Sequence, residues 1–519
     1  MSDARLRLVP LGGLGEIGLN LMLLELHSSG GSLPDAALAI DCGVMFPTAE
    51  TPGIDLVIPD LGYLRTLGSR LLGVALTHGH EDHIGGLPFL LREQPMPVWG
   101  SAFTIGLVTN KLAEHGIGDE QLHVFEPGAR FEVGPFGVEP LHMTHSIVDA
   151  AGFAVHTPLG TVVHTGDFKI DHTPVDGRTS DLDRLAELGA AGVLLLLSDS
   201  TNVGRPGTTP SERSVAPALE HVFMRSRGKV VAATFASHVH RLQQVIEVSA
   251  RHERKVALLG RSLIENVRIA RGLGKLEVPA DAIASLDEVQ KLPAEHVTLL
   301  TTGSQGEPRS ALARLAAGDL PDVTIEPGDS LVLSARVIPG NERAVTTLVN
   351  HAVRRGAEVF REEVLDVHTS GHASQEELKL VLRLVRPKYF VPVHGEYRHL
   401  ARHVRLAVET GVEAERCFLL EDGESLVFDD KGARRDEPVP HGRVFVDGKG
   451  IGDVEELVLR DRRHLAEGGL VLVVLGVDRA SGDIVVGPDL LSRGFVLEGS
   501  SQGLLDEARA AVVGAVGAI

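Results

Sequence analysis

Thr77-His78-Gly79-His80-Glu81-Asp82-His83 constrains this chain more than any other stretch. Four groups able to bind a metal fall within six residues, directly after the apolar run Leu71–Leu76, which reads as a buried strand. Alternate residues of extended chain point the same way, so His78 and His80 can converge on one metal ion. Asp82 and His83 sit where the chain turns into the apolar, helix-like stretch Ile84–Leu91 and can serve a second ion beside the first. A polar turn with solvated histidines is the plainer reading, adequate for a lone His-x-His. The longer pattern at a strand end points to a two-metal hydrolase.

At 519 residues the chain exceeds one compact core and suggests two to four domains. Its 43% hydrophobic and 23% charged content is that of a globular protein, and with 4% aromatics the core must rest on Leu, Val and Ala. Cys42 and Cys417 can build neither a disulfide framework nor a thiolate zinc site. With an N-terminus lacking an apolar signal region, they imply a cytoplasmic protein, and no apolar run is long enough to cross a bilayer. The formal charge of -20 argues against a loose nucleic-acid coat protein. It leaves room for a nuclease with a narrow basic channel, because bound divalent cations invert the local field.

Short strands separated by Gly and Pro turns fill the chain to about Leu197. From about Pro210 strands and helices alternate: a strand at 229–236 leads into a helix at 239–250, 255–259 into 262–273, and 297–301 into 310–317. That is the pattern of a parallel α/β unit. Short strands return after Glu362. The expected divisions are a hydrolase domain in two parts, 1–205 and 363–428, an inserted α/β domain at 206–362, a linker at 429–449 and a C-terminal domain at 450–519.

Further candidate ligands end other strands: His145 after 138–143, Asp167 in His164-Thr165-Gly166-Asp167, and His394 after 389–393. Asp41, after Leu38-Ala39-Ile40, can orient a ligand histidine instead of binding metal. Singly, the two aspartates can be turn caps and the two histidines ordinary members of a set of 24. Their shared position at strand ends favours one site. Imidazole and carboxylate without thiolate suit zinc or manganese.

The order Asp41, His78-x-His80-x-Asp82-His83, His145, Asp167 resembles the metallo-β-lactamase superfamily. Ser198-Asp199-Ser200-Thr201-Asn202, Ser370-Gly371-His372-Ala373-Ser374 and His394 narrow the resemblance to the β-CASP nucleases, and His at the last position resembles their RNA-processing members. Leu11-Gly12-Gly13-Leu14-Gly15-Glu16-Ile17-Gly18-Leu19-Asn20, Met45-Phe46-Pro47, Gly53–Asp60 and Val446-Asp447-Gly448 resemble the ribonuclease J family, from about Val9 to Asp453. Leu19 departs from the lysine common there.

The resemblance implies an α/β fold: an αββα four-layer sandwich with an inserted β-CASP domain and a small C-terminal α/β domain used for oligomerisation. It implies that His78, His80, His145 and Asp167 hold one divalent ion and Asp82, His83, Asp167 and His394 the other, with zinc first and manganese or magnesium as alternatives. Residues Ser237, His238, His368, Thr369, Ser370, Gly371 and His372 would bind substrate phosphate, including a 5′-monophosphate, although Ser237 also reads as a plain helix N-cap. Backbone carbonyls of Thr51 and Gly53 with Asp447 would hold a structural cation, and oxygen ligands suit calcium or magnesium. The Gly303–Gly306 and Pro339-Gly340-Asn341 turns can approach RNA phosphates or be ordinary connections.

His372 is the candidate general acid, with Asp199 fixing its tautomer; the alternative is that it only neutralises the scissile phosphate. The expected function is hydrolysis of single-stranded RNA in RNA maturation and mRNA decay, 5′-to-3′ exonucleolytic with endonuclease activity, in a homodimer or homotetramer open to degradation-complex partners. The alternatives are an inactive RNA-binding scaffold paralogue, a DNA-processing β-CASP nuclease, or another hydrolase of the fold, such as a thioesterase or lactamase, which would lack the long insertion.

Overall fold

The computed structural model describes residues 4–28, 33–47, 51–338, 340–448, 450–452, 454, 456–495 and 502–517. Pro339, Asp453 and Ile519 lie outside them. The chain divides into two compact units: residues 1–45 with 58–443, and 46–57 with 444–519.

The first unit carries two sheets packed face to face. One has eight strands, in the order Gly432–Asp436, Ser425–Asp429, Arg5–Gly12, Leu21–His27, Ala36–Ile40, Leu71–Ala75, Val98–Gly100, Leu122–Val124. The other has six, in the order Tyr389–Val393, Val193–Asp199, Gly160–His164, Ala151–Thr157, Phe136–His142, Phe131–Val133. Leu6, Leu24, Leu38 and Ile40 of the first sheet share one core with Phe153, Val162, Leu195 and Val391 of the second.

Val193–Asp199 shows how the layers form. Its side chains alternate, so Leu195 and Leu197 face the other sheet while Leu196 faces Leu185, Leu378 and Leu382 on the outer helices Leu182–Ala191 and Gln375–Val385. A strand covered on both faces reads as an uninterrupted apolar run, which is what Val193-Leu-Leu-Leu-Leu is. Helix Ala102–Glu114 packs on strands Val98–Gly100 and Leu122–Val124 of the eight-stranded sheet. The layers are therefore αββα.

Two parallel sets of strands decide where loops emerge. Ala36–Ile40 pairs in parallel with Leu71–Ala75, Ile40 opposite Ala75. Gly160–His164, Val193–Asp199 and Tyr389–Val393 also run parallel, with His164 opposite Leu197 and Asp199 opposite Val393. In each sheet the loops that follow parallel strands leave from the strands' carboxyl ends, where sites of α/β proteins form.

The inserted portion is a five-stranded parallel sheet, in the order Lys255–Leu259, Val297–Thr301, Val230–Ala233, Ser330–Leu333, Glu358–Phe360. Val230, Val256, Leu300 and Val332 pack on helices Ala216–Arg225, Val239–Arg251 and Arg261–Gly272; Val231, Leu299 and Leu331 pack on Ala311–Ala317 and Glu342–Arg354. In the second unit the hairpin Leu470–Val477 with Ile484–Arg493 packs with helix Gln502–Val516, and Asp55 N–H donates to the Val446 carbonyl.

Two sequence expectations change here. Part of the expected linker, Gly432–Asp436, is the outer strand of the eight-stranded sheet, paired with Ser425–Asp429. Its run Arg434-Arg435-Asp436 carries no apolar alternation because an edge strand exposes most of its side chains. Residues 46–57 group with the C-terminal unit rather than with the hydrolase domain's first part.

Arg241, fully buried, ties the insertion to the sandwich. Its guanidinium meets Glu212 at 2.6 and 3.0 Å, and donates to the carbonyls of Ser334 and Val367 at 3.1 and 2.9 Å. Arg241→Met strands a buried carboxylate, and breaking such a pair costs about 3–5 kcal/mol. A clearly lowered urea midpoint is expected; an unchanged midpoint would show that the pair does not hold the insertion.

Candidate metal centre

The strand Leu71–Ala75 delivers Thr77 and His78 beside Asp41. The Asp41 carboxylate accepts the Thr77 N–H and hydroxyl, each at 2.8 Å, and lies 2.8 Å from His83 Nδ1. With Nδ1–H donated to Asp41, His83 presents Nε2, which lies 3.2 Å from Asp167 Oδ2. Asp41 thus sits on the far side of the His83 ring from Asp167. The two loops touch so closely that a Cβ on Gly43 would lie 1.7 Å from the Asp82 carbonyl oxygen, so only glycine fits.

His78 Nε2, His80 Nδ1 and His145 Nε2 form the first donor group: His80 Nδ1 is 2.9 Å from His78 Nε2 and 3.3 Å from His145 Nε2. His145 Nδ1 lies 2.7 Å from the Gly371 carbonyl, which fixes Nε2 as its free nitrogen. Asp82, His83, Asp167 and His394 form the second group, with donor atoms all within 4.8 Å of one another. Asp167 lies between them, its Oδ2 being 3.8 Å from His78, 3.9 Å from His145 and 3.2 Å from His83. Gly166, at φ +57°, makes the turn that presents it.

The donor set fits two divalent ions. Burial pushes His78 and His145 well below the usual histidine range and His80 down to about 4, so the first group is three neutral imidazoles. In the second group burial opposes charge, but Asp167, Asp82 and Asp41 hold His83 well above its usual value, and Asp167 with hydrogen bonds to Asp199 and Asp82 lifts His394 to about 10. These carboxylates demand positive charge, which protons or a divalent cation can supply.

His372 stands over both groups. Its ring centroid is 5.0 Å from that of His145 and 5.5 Å from that of His394, and its Nδ1 is 2.8 Å from Asp199 Oδ2. Burial opposes its ionisation, yet Asp199 raises its pKa above the ordinary value. Asn202 Nδ2 donates to Ser370 Oγ and to the His372 carbonyl, holding the turn.

The expected phosphate residues separate into two kinds. Thr369, Ser370, Gly371 and His372 lie on the turn beside the metal groups, where Thr369 Oγ1 donates to the Pro210 carbonyl. His238 is buried, accepts the Arg241 N–H as the N-cap of Val239–Arg251, and faces Glu212 at 3.5 Å. It is therefore His238, not Ser237, that caps the helix: a turn closed by His238 N–H to the Phe235 carbonyl moves the helix start one residue on. The cap takes His238 Nδ1 and leaves Nε2 without a hydrogen-bond partner among the described residues, and Ser237 and His368 are half-buried.

The cation expected at Thr51, Gly53 and Asp447 does not fit. Arg462 donates to Asp447 Oδ2 at 2.7 Å and to the Pro52 carbonyl at 3.2 Å, and the Thr51 carbonyl accepts the Ile54 N–H. A guanidinium already supplies the positive charge.

Three contributors escaped the sequence reading. His164 Nδ1 accepts the Gly166 N–H at 2.9 Å and shapes the Asp167 turn; His-Thr-Gly-Asp was the available signal. Asn20 Nδ2 donates to the Asp82 carbonyl and lies 3.1 Å from His83 Nε2. Buried Glu377 accepts backbone N–H groups of Ile170, Thr209 and Ser374 at 2.7–2.8 Å.

Fold and site together define a metallo-β-lactamase-type hydrolase with a β-CASP insertion, and comparison with known proteins agrees. Residues 52–196 match the β-lactamase superfamily domain, 227–352 the ribonuclease J β-CASP domain, 359–417 the Zn-dependent metallo-hydrolase RNA specificity domain and 457–519 the ribonuclease J C-terminal domain. Similar curated proteins include ribonuclease J of Thermus thermophilus, 45% identical over 97% of this chain and 86% of that one. Others are ribonuclease J2 of Bacillus subtilis (40%, 97% and 89%) and ribonuclease J of Helicobacter pylori (40%, 95% and 71%). A crystal structure of an Enterococcus faecalis protein of unknown function shares the fold, with a TM-score of 0.55 at 16% identity over 82% of this chain and all of that one. The chain belongs to the ribonuclease J family. It is a hydrolytic, metal-dependent nuclease of the β-CASP kind that binds RNA.

Two results should follow from the donor set. A metal held by His83 and His394 would displace their protons, so zinc titrations should release protons, with affinity rising with pH up to about 10. Equal apparent heats in buffers of different ionisation enthalpy would contradict this. Asp82→Ala with His83→Ala should bind one metal equivalent fewer and lose cleavage by more than ~100-fold, since even partners behind ligands are worth 10–100-fold. Full turnover with one metal lost would exclude a two-metal site.

Proposed function

We propose that the protein is a two-metal ribonuclease of the cytoplasm that degrades and matures single-stranded RNA chiefly from its 5′ end. The observation that carries this reading is the Asp167 carboxylate lying between the two donor groups, with His372 standing over both. His78, His80, His145 and Asp167 would hold one ion, and Asp82, His83, Asp167 and His394 the other, with zinc favoured by the imidazole-rich donors. Bound divalent ions supply Lewis acidity toward the phosphate and the attacking water.

The chain's own residues supply the rest. Asp199 keeps the Nδ1 proton of His372 in place and favours the imidazolium. His372 then gives its Nε2 proton to the leaving 3′ oxygen as the phosphodiester breaks. Ser237, His368 and the 369–372 turn would receive a 5′-monophosphate, which sets the scissile bond a fixed distance away. Internal cuts would occur more slowly, in unpaired segments. All the expected ligands are present, which favours an active enzyme over a scaffold, and His394 favours RNA over DNA.

The C-terminal unit would mediate self-association as a homodimer or homotetramer: Val474, Val485, Val486 and Leu491 of its hairpin are 50–64% exposed and want a partner. Among the described residues no helix is long and apolar enough to cross a membrane.

Three experiments test this reading. His372→Ala should lower kcat by roughly 10²–10⁴, the usual worth of a general acid. The parent's activity should fall on the alkaline side as pH rises through the raised His372 pKa, and the variant should lack that limb; an alkaline limb retained in the variant assigns the proton elsewhere. On 5′- and 3′-labelled RNA, mononucleotides should come first from the 5′ end, faster from 5′-monophosphate than 5′-triphosphate. Release from the 3′ end first, or indifference to the 5′ group, defeats the direction proposed. Light scattering of a chain ended after Pro440 should give a smaller oligomer, and an unchanged mass removes the role given to the C-terminal unit.

A further inference from the structure

The two halves of the site, ligands and proton donor, meet at one hydroxyl. Thr201 Oγ1 lies 2.8 Å from Asp199 Oδ1 and 2.8 Å from His394 Nδ1. The hydroxyl has one proton to give, and an ionised carboxylate can only accept. Its proton therefore goes to Asp199, and Oγ1 accepts from His394, so Nδ1 carries the imidazole proton. The other nitrogen, Nε2, faces Asp82 Oδ2 at 3.3 Å, and the proton it shares with that carboxylate is the one a metal ion would replace. Asp199 Oδ1 also accepts the Thr201 N–H at 2.9 Å, while Oδ2 serves His372. The result is one unbroken line of hydrogen bonds: His394, Thr201, Asp199, His372.

We infer that Thr201 is a positioning residue whose hydroxyl fixes His394 as the Nδ1–H tautomer and couples that ligand to the carboxylate orienting His372. This rests on the reading of His394 as a ligand and His372 as the acid.

The surroundings show why the hydroxyl is needed. His394 adopts a left-handed backbone (φ +53°), its carbonyl accepting the Ser200 N–H at 3.4 Å. Ser200 Oγ is in turn 3.0 Å from Nδ1 of buried His403, which anchors the loop carrying Thr201. Without Oγ1, the acceptors left for His394 Nδ1–H are Asp167 Oδ1 at 3.4 Å and Asp199 Oδ1 at 3.5 Å. Turning toward Asp167 would draw that carboxylate away from the other histidines; turning toward Asp199 would compete with its hold on His372. Either move disturbs both halves of the site together.

The test uses full-length Thr201→Val, which keeps the side-chain shape, and Thr201→Ser, which keeps the hydroxyl. Equilibrium dialysis with zinc alone should show T201V weakened about 10–100-fold for one of its two ions, the usual effect of losing a partner behind a ligand, and unchanged for the other. T201S should match the parent. On RNA, T201V should lose kcat with KM unchanged, and T201S should restore it. Melting of the metal-free proteins checks folding; should T201V not fold, T201A against T201S makes the same comparison. Parent-like zinc binding by T201V overturns the inference, as does a T201S as weak as T201V. If the parent binds zinc but does not cleave RNA while T201V still loses one ion, the ribonuclease reading fails and the role of Thr201 stands.

Discussion

Asp167 Oδ2 is the atom on which the arrangement turns. It is buried with three imidazole nitrogens 3.2–3.9 Å away, and a carboxylate removed from water is tolerated only when opposite charge or hydrogen bonds meet it closely. Meeting it requires His78 and His83 from one sheet, and Asp167 itself and His145 from the other. The face-to-face packing that buries Leu38 and Ile40 against Phe153 and Leu197 is what brings those edges together. A slip of one residue in either parallel pairing would reverse which side chains face the core, so the hydrophobic register and the metal register are the same constraint.

The pattern of the outer partners repeats around this atom. His83 gives its second nitrogen to Asp41, His145 to a backbone carbonyl, and His394 to a hydroxyl backed by Asp199. Each partner decides which imidazole nitrogen faces inward. The same device serves His372, whose Nδ1 is held by Asp199 and whose Nε2 is left free. A global charge of -20 does not conflict with such a site, because divalent cations held by its imidazoles and carboxylates would make it locally positive, whatever the outer surface carries.

Much of this was legible in the sequence because the chemistry sits at strand ends. Leu71–Leu76 before Thr77, and Tyr389–Val393 before His394, are apolar runs broken by a polar residue, and a parallel sheet aligns such breaks. His394 lies 312 residues from Asp82 yet ends 3.3 Å from it because its strand pairs with Val193–Asp199. What stayed hidden lacks a local signature. Gly432–Asp436 is polar because it is an edge strand, so composition marks it as a linker. His238 caps a helix in place of Ser237 because of a turn that closes upstream. Arg462 displaces an expected cation from fifteen residues along the chain, a distance only folding can close. Thr201 is one threonine in a motif, and its hydroxyl gains meaning only between two groups from elsewhere.

Glu377 shows how the inserted domain and the turn at 369–372 are kept in register. It begins as a helix-capping residue, completing a capping box with Ser374. Its two oxygens then reach the Ile170 N–H, three residues past Asp167, and the Thr209 N–H, on the segment leading into the insertion. One carboxylate thus fastens the Asp167 turn, the start of the insertion and the residue two after His372. Arg241 does the same at the insertion's far crossing, since the carbonyl it holds at Val367 precedes His368. Both crossings between sandwich and insertion are pinned by a buried charge saturated with hydrogen bonds, and His372 lies between the pins. The turn carrying His372 is thus tied at one end to the segment that follows Asp167 and at the other to the insertion's core, so a shift of the inserted domain would carry His372 with it only by straining these bonds.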